Sequence, residues 1–342
     1  MKLIMRCSVS LYLSLVLAAC GSHAKGSDPL PLVPKPGTTT NSTVSPNVIA
    51  PRPPKSPLPT FIPSGPVDTT PLADIPLIGS AETLEIGTWN IEHYPKASGN
   101  SRTMVSKILN QLDIDLMAVE EINGEAAFRD LLTAMPKFDG VVSDKGGSQN
   151  VGFIYRKSDF TLITSEEIFP YENKAFPRPP LMVRLRPAQR AGADIVAIAV
   201  HLKAFGDTEN QARRSDANIL LERYVAELKA REPALQIVIL GDFNQPILMD
   251  SEREVFNPWF KKPESYTVTT DILVQQGDYS YFSGLYSLID HIITTSDFHL
   301  SEPTIVKLQN IVPNYEAHAS DHLPVIARQT FAPPAAVPAP LP

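Results

Sequence analysis

The stretch Val238-Ile239-Leu240-Gly241-Asp242-Phe243-Asn244 constrains the fold most. An apolar run long enough for one buried strand reaches a glycine and then offers a carboxylate and an amide two positions apart. Side chains at i and i+2 leave a strand on the same side. Asp242 and Asn244 therefore converge on one point, where a metal, a water or a phosphate oxygen could sit. Gly-Asp and Asn also mark ordinary turns, so this segment alone leaves both readings open.

The pattern recurs along the chain. Asn90 closes an apolar segment over 84–91, Glu120 and Glu121 close one over 115–119, and His201 closes Ile195-Val196-Ala197-Ile198-Ala199-Val200. Asp290 and His291 interrupt the run 288–293, and Ser320-Asp321-His322 precede Leu323-Pro324-Val325. Ionisable groups are rarely buried without partners. Their repetition where apolar strands stop argues for one polar site at a sheet edge. Between these segments, Ser101 can cap a helix with Met104, Ile108, Leu109 and Leu112 at helical spacing, and Asn123 can open another. A long helix over 210–230 buries Ala217, Leu220, Leu221, Tyr224 and Leu228. Further strands are expected near 139–143, 151–156, 160–165, 181–187, 236–240 and 323–328. Runs of strands broken by a few long helices suit two packed sheets with helices outside.

The chain ends differ from this middle. Lys2 and Arg6 precede an apolar stretch over 9–19, too short to span a bilayer but suited to a signal peptide. Leu17-Ala18-Ala19-Cys20-Gly21 resembles a bacterial lipobox, which implies cleavage before Cys20 and lipidation of its thiol. Residues 20–80 are Pro-rich and read as an extended linker, and 332–342 as a disordered Pro/Ala-rich tail. That leaves 81–331 as one catalytic domain. Cys7 and Cys20 are the only cysteines, so after processing no thiolate remains and any metal must be held by oxygen and imidazole. The net charge of −7 counts against strong non-specific DNA binding but does not exclude a locally basic groove.

The ordered motifs Thr-Trp-Asn-Ile (88–91), Val-Glu-Glu-Ile (119–122), Val-His-Leu-Lys (200–203), Gly-Asp-Phe-Asn (241–244), Ile-Asp-His-Ile (289–292) and Ser-Asp-His-Leu-Pro-Val (320–325) resemble the endonuclease/exonuclease/phosphatase superfamily, that of DNase I and exonuclease III. The resemblance spans 83–330. It implies an α/β fold, a four-layer α/β/β/α sandwich, and metal-dependent cleavage of phosphoester bonds. Carried over position by position, it implies that Glu121 is the principal metal ligand, with Asn90 beside it and Asp321 as a further metal-site carboxylate. It implies that Asp242 and Asn244 position the attacking water and the phosphate, and that His201 contacts the phosphate or leaving oxygen. Asp290 would orient the catalytic His322. Glu120 stands where the family usually has Gln and takes a supporting role. Mg²⁺ is the expected ion, with Mn²⁺ or Ca²⁺ as alternatives, because few carboxylates suffice to hold a hard cation against a phosphate. An imidazole near pKa 6.5 can exchange a proton at neutral pH, and a carboxylate fixes its tautomer.

Fold alone does not choose a substrate. Gln245-Pro246 after Asn244 lacks the Arg of inositol phosphatases, and the Trp/Arg-rich segment of apurinic endonucleases is missing. The segments 151–156, 178–181, 201–203 and 279–282 instead resemble secreted bacterial nucleases, with Arg178, Lys203 and Tyr281 as candidates to contact phosphate or stack on a base. Gln149-Asn150 departs from those nucleases, which often place there an acidic residue supporting the phosphate-side histidine; an amide could orient His201 instead. The expectation is a lipid-anchored nuclease acting on DNA or RNA outside the cytoplasm, at the outer membrane if the host has one, with no protein partner implied. A phosphodiesterase or phosphatase acting on lipid headgroups is the alternative, and a degenerate binding domain is disfavoured by the intact motifs.

Overall fold

The computed structural model describes residues 64–330 apart from 73, 98 and 189–192. The signal segment, Cys20, most of the 20–80 linker and the 332–342 tail therefore lie outside the described residues. Among the described residues, twelve strands form two sheets: β1 Thr83–Tyr94, β2 Leu116–Ile122, β3 Phe138–Val142, β4 Asn150–Arg156, β5 Phe160–Glu167, β6 Leu181–Pro187, β7 Ile195–His201, β8 Gln236–Asp242, β9 Tyr266–Val268, β10 Asp290–Thr295, β11 Ser301–Ile305 and β12 Val325–Thr330. One sheet runs β11-β12-β1-β2-β4-β3 and the other β5-β6-β7-β8-β10-β9. The long helices are α1 Ser101–Leu112, α2 Gly124–Thr133 and α3 Thr208–Arg231.

Strand alternation assembles the layers. In β7, Ala197 and Ala199 face the core between the sheets, while Val196, Ile198 and Val200 face α3. In β8, Val238 and Leu240 join the inter-sheet core, while Ile237 and Ile239 pack under Ala217, Leu221 and Val225 of α3. Both strands are buried on both faces, which is why they read as unbroken apolar runs. Val105, Ile108 and Leu112 of α1 and Phe128 and Leu131 of α2 cover the first sheet. Each such fully buried Val, Leu or Ile contributes roughly 1.5–3 kcal/mol. The result is the expected α/β/β/α sandwich.

Several details depart from the sequence reading. Asn100, not Ser101, is the N-cap of α1; the Ser101 hydroxyl accepts the Lys96 N–H at 3.0 Å. In α3, Leu220, Tyr224 and Leu228 are only partly buried, and the buried stripe also carries Arg214, Asn218 and Glu222. β9 and β11 were not expected. Residues 64–72, read as linker from composition, lie along α1 and α2: Ser64 donates to Asp130 at 2.7 Å, and the Gln111 amide exchanges hydrogen bonds with Leu72 at 2.7 and 2.9 Å. No described helix is long and apolar enough to cross a membrane.

Candidate active site

Topology brings the polar strand ends together. β1 and β2 are parallel, with Asn90 opposite Glu120, and β7 and β8 are parallel, with His201 opposite Asp242. β10 runs antiparallel to β8 and begins where β8 ends, pairing Asp290 with Asp242. β12 is antiparallel to β1, so His322 enters it beside the end of β1. Ends of parallel strands thus meet beginnings of antiparallel ones at a single edge. By alternation His201 follows Ala197 and Ala199, and Asp242 follows Val238 and Leu240, so both face the other sheet.

The chain holds His322 from both sides. Tyr315 Oη–H and Trp89 Nε1–H donate to its carbonyl at 2.6 and 3.2 Å, and its N–H donates to Ser320 Oγ at 2.9 Å. Its Nδ1 lies 2.8 Å from Asp290 Oδ2, which also accepts the Ser280 hydroxyl at 2.6 Å. Burial opposes protonation of this imidazole, but Asp290, Asp242 and Asp321 prevail and raise its pKa to about 10. These carboxylates favour the charged imidazolium form of His322. Its Nε2 stands 3.9 Å from Asp242 Oδ2.

Asp242 is almost fully buried. Burial, then the Asp290 carboxylate, raise its pKa to about 7, within the range of a proton acceptor at neutral pH. Asp242 Oδ1 accepts the Asn244 N–H at 2.8 Å, and Asn244, at φ 51°, donates its amide to Leu202 O at 3.2 Å. The turn and the site readings of this motif are therefore both realised: a side-chain turn fixes the two groups at the sheet edge. Gly241 precedes them at φ 142°, where a Cβ would stand 2.0 Å from Val200 O.

Glu121 lies opposite, at φ 64°. Asn90 bridges the two carboxylates, donating to Glu121 Oε1 at 3.2 Å and Asp242 Oδ2 at 3.1 Å, while its own oxygen accepts the Glu92 N–H at 3.0 Å. Glu121 Oε2 accepts the His93 N–H at 3.1 Å and lies 3.0 Å from His93 Nδ1. Asp321 sits near Glu92 and Glu121; burial outweighs the opposing His322 charge, and those carboxylates help to raise its pKa to about 6. Such crowding of hard oxygen donors fits a divalent cation. Asp242, Asp290 and His322 also offer ligand atoms within 4.8 Å of one another. There Asp290 Oδ2 is engaged by Ser280 and His322, while its Oδ1 is buried with no hydrogen-bond partner among the described residues.

His201 is buried, with Nε2 3.5 Å from Asp242 and 3.8 Å from Glu121. Burial, then Arg178, hold its pKa well below 6.5, and Nδ1 has no hydrogen-bond partner among the described residues. Gln149 does not orient it: its Oε1 accepts from Arg178 Nη2 instead. His201 is thus a neutral imidazole and a hydrogen-bonding group. Arg178 also donates to Leu202 O at 3.2 Å, and Glu121 and Asp242 both bear on its charge, which brings it to the site. Tyr281 is at the site too, its ring centroid 5.0 Å from that of His322. Lys203 is in the loop after β7, its ammonium over the Phe205 ring. Glu120 is fully buried, accepts the Thr88 hydroxyl at 2.9 Å, and lies beneath the site near Asp290.

Sequence reasoning missed three contributors and misplaced a fourth residue. Ser280 orients Asp290, as above. His291 was grouped with the site, but alternation turns it to the opposite face, where Thr270 and the Gln245 carbonyl engage it at 3.0 and 2.8 Å. Arg214 of α3, 2% exposed, donates to Lys203 O and Phe205 O at 2.7 Å each and to Gln245 Oε1 at 2.9 Å, tying the His201 loop to the Asn244 loop. His93 touches Glu121. A polar residue on the apolar stripe of α3 was the only available signal for Arg214.

Residues 84–327 match the Endonuclease/Exonuclease/phosphatase family. The chain belongs to that family. Family enzymes depend on divalent metals, in keeping with the oxygen-rich donors here. Among solved structures, D. rerio TDP2 complexed with a single-strand DNA product is 16% identical, with 72% of this chain and 99% of that one covered at a TM-score of 0.57. A Bacteroides thetaiotaomicron mannosyl-6-phosphatase is 17% identical over 71% and 98% of the two chains, with a TM-score of 0.52. A family protein from the same organism is 16% identical over 73% and 98%, at 0.53. These likenesses show the endonuclease/exonuclease/phosphatase fold. No curated protein sequence matches the chain.

Proposed function

We propose that this endonuclease/exonuclease/phosphatase family hydrolase cleaves phosphodiester bonds of DNA or RNA. The observation that carries the reading is geometric: the buried His322–Asp290 pair, Nδ1 to Oδ2 at 2.8 Å, faces the buried Asp242 carboxyl across 3.9 Å. Asp242 accepts a proton from the attacking water, which Asn244 helps to place through its free amide hydrogen. His322, charged and held by Asp290, donates to a phosphoryl oxygen and offsets the charge that develops there. His201 adds a neutral hydrogen bond, and Arg178 a guanidinium suited to phosphate. Glu121 and Asp321 would hold the cation, with Asn90 fixing the Glu121 carboxylate. A bound divalent ion supplies charge neutralisation and polarises the phosphoryl group, and Mg²⁺ is the ion proposed.

The nucleic-acid substrate is supported by Arg178 and Tyr281 at the site, and by the fold shared with a protein solved with a DNA product. A second reading, hydrolysis of phospholipid headgroups, is favoured by exposed Leu248 and Tyr286 lining a cleft of about 210 Å³ with Leu288, Tyr279 and Pro246. We place the domain (81–331) outside the cytoplasm, tethered through Cys20 and the Pro-rich segment; the sequence of residues 2–21 is the support. Plasmid DNA, RNA, sphingomyelin and phosphoinositide assayed in parallel, with Mg²⁺ and with EDTA, separate the readings. Cleavage of DNA or RNA that EDTA abolishes is the expected outcome. Headgroup release without nuclease activity would establish the second reading.

A further inference from the structure

The loop between β7 and α3 carries a side chain that the family motifs did not bring forward. Phe205 follows His201 in this loop and is 72% exposed. One exposed aromatic ring is ordinary by itself. Its backbone is not. Phe205 has a φ of 78°, in the left-handed region that a bulky residue disfavours. The next residue, Gly206, could take that conformation freely and does not.

The surroundings keep the ring where it is. Buried Arg214 donates from Nη1 to the Lys203 and Phe205 carbonyls at 2.7 Å each. The loop backbone is thus gripped from inside while the Phe205 side chain stays outside. In the same loop, Leu202 O accepts Arg178 Nη1 and the Asn244 amide, both at 3.2 Å, which fixes the loop to the catalytic edge. Lys203 Nζ stands 4.6 Å from the centroid of the Phe205 ring. Backbone strain held in place by such contacts clusters at active sites and ligand clamps. A flat ring beside an ammonium, in a loop tied to a guanidinium, matches a polymer that alternates flat bases with phosphates. A lipid headgroup carries phosphate but no flat face to stack.

We propose that Phe205 stacks on a base of the substrate, with Lys203 on a neighbouring phosphate, and that the enzyme therefore takes unpaired DNA or RNA. A base within a duplex has both faces covered, so the ring finds a free face only on single strands, loops or frayed ends. The inference rests on the nuclease reading above. Phe205 is a substrate-binding residue, apart from the His322–Asp242 chemistry, and acts on KM and strand preference.

The test uses the full-length protein with Mg²⁺ and single-stranded DNA and RNA oligonucleotides carrying the fluorescent base 2-aminopurine. Kd and fluorescence quenching are read in a His322→Ala background that slows cleavage, and kcat and KM in the otherwise wild-type chain. Phe205→Ala is expected to abolish the quenching and to raise Kd and KM about tenfold, with little change in kcat. Phe205→Trp should restore both, and strands of abasic spacers should not distinguish the variants. Phe205→Gly should melt no lower than the wild type, because glycine suits the left-handed backbone; a lower melting temperature would make the ring structural and overturn the inference. Wild-type binding by Phe205→Ala, or an equal loss on abasic strands, would also overturn it. So would a loss confined to phosphatidylcholine/phosphatidylglycerol vesicles, which would assign the ring to a membrane surface. If the protein with Phe205 intact neither binds nor cleaves any strand, the nuclease reading itself fails, and the inference with it.

Discussion

At the scale of single residues, the edge of the sandwich sorts three histidines by environment. His322 gains charge from Asp290, whereas burial keeps His201 and His291 neutral. His291, inward of Phe243 and Phe256, has a pKa lowered to about 4. Its folded pKa lies below its unfolded value, so its contribution is present above pH 6.5 and is lost as pH falls toward 4. The shift is equivalent to about 3 kcal/mol. Chemical denaturation across pH 7 to 4 should therefore show His291→Gln losing stability less steeply than the wild type; parallel curves would contradict that. Gly241 is fixed as firmly by the approach of Val200 O. Gly241→Ala should cost roughly 2–6 kcal/mol from strain and overpacking, measured by urea unfolding. The motif Gly-Asp-Phe-Asn was legible because glycine, carboxylate and amide each meet a separate local demand. The protonation of His322 was not legible, since it depends above all on Asp290 and Asp242, which are distant in sequence and on other strands.

At the scale of elements, long buried strands announced themselves and short edge strands did not. β7 and β8 are apolar at nearly every position because both faces are covered. β9 has three residues, and β11 carries Pro303 at the sheet edge with a shifted register, so neither offers alternation to read. The same limit hid Arg214. Helical spacing marks α3 as amphipathic but does not show that one buried position reaches across to two loops. Arg214→Met should unpair the Lys203 and Phe205 carbonyls and the Gln245 amide, costing about 2–4 kcal/mol. It should also lower kcat through misplacement of His201 and Asn244. Unfolding curves and steady-state kinetics check the two halves, and a stability loss with unchanged kcat would limit Arg214 to a structural role.

At the scale of the whole molecule, function follows from strand direction. Parallel β1, β2, β7 and β8 end at the edge where antiparallel β10 and β12 begin. Residues drawn from 90 to 322 in the sequence therefore enclose one small volume. Motif order made the sandwich legible, but the sequence did not show which oxygen faces which nitrogen. That information sits in register and in the turn at Asn244. The central claim is that this one edge performs phosphodiester hydrolysis, with His322 opposite Asp242. Its most direct test is turnover of plasmid DNA or RNA by His322→Ala in the presence of Mg²⁺, with thermal melting to show that the variant is folded. The account predicts a fall in kcat of about 10²–10⁴-fold; a folded variant turning over at the wild-type rate would contradict it.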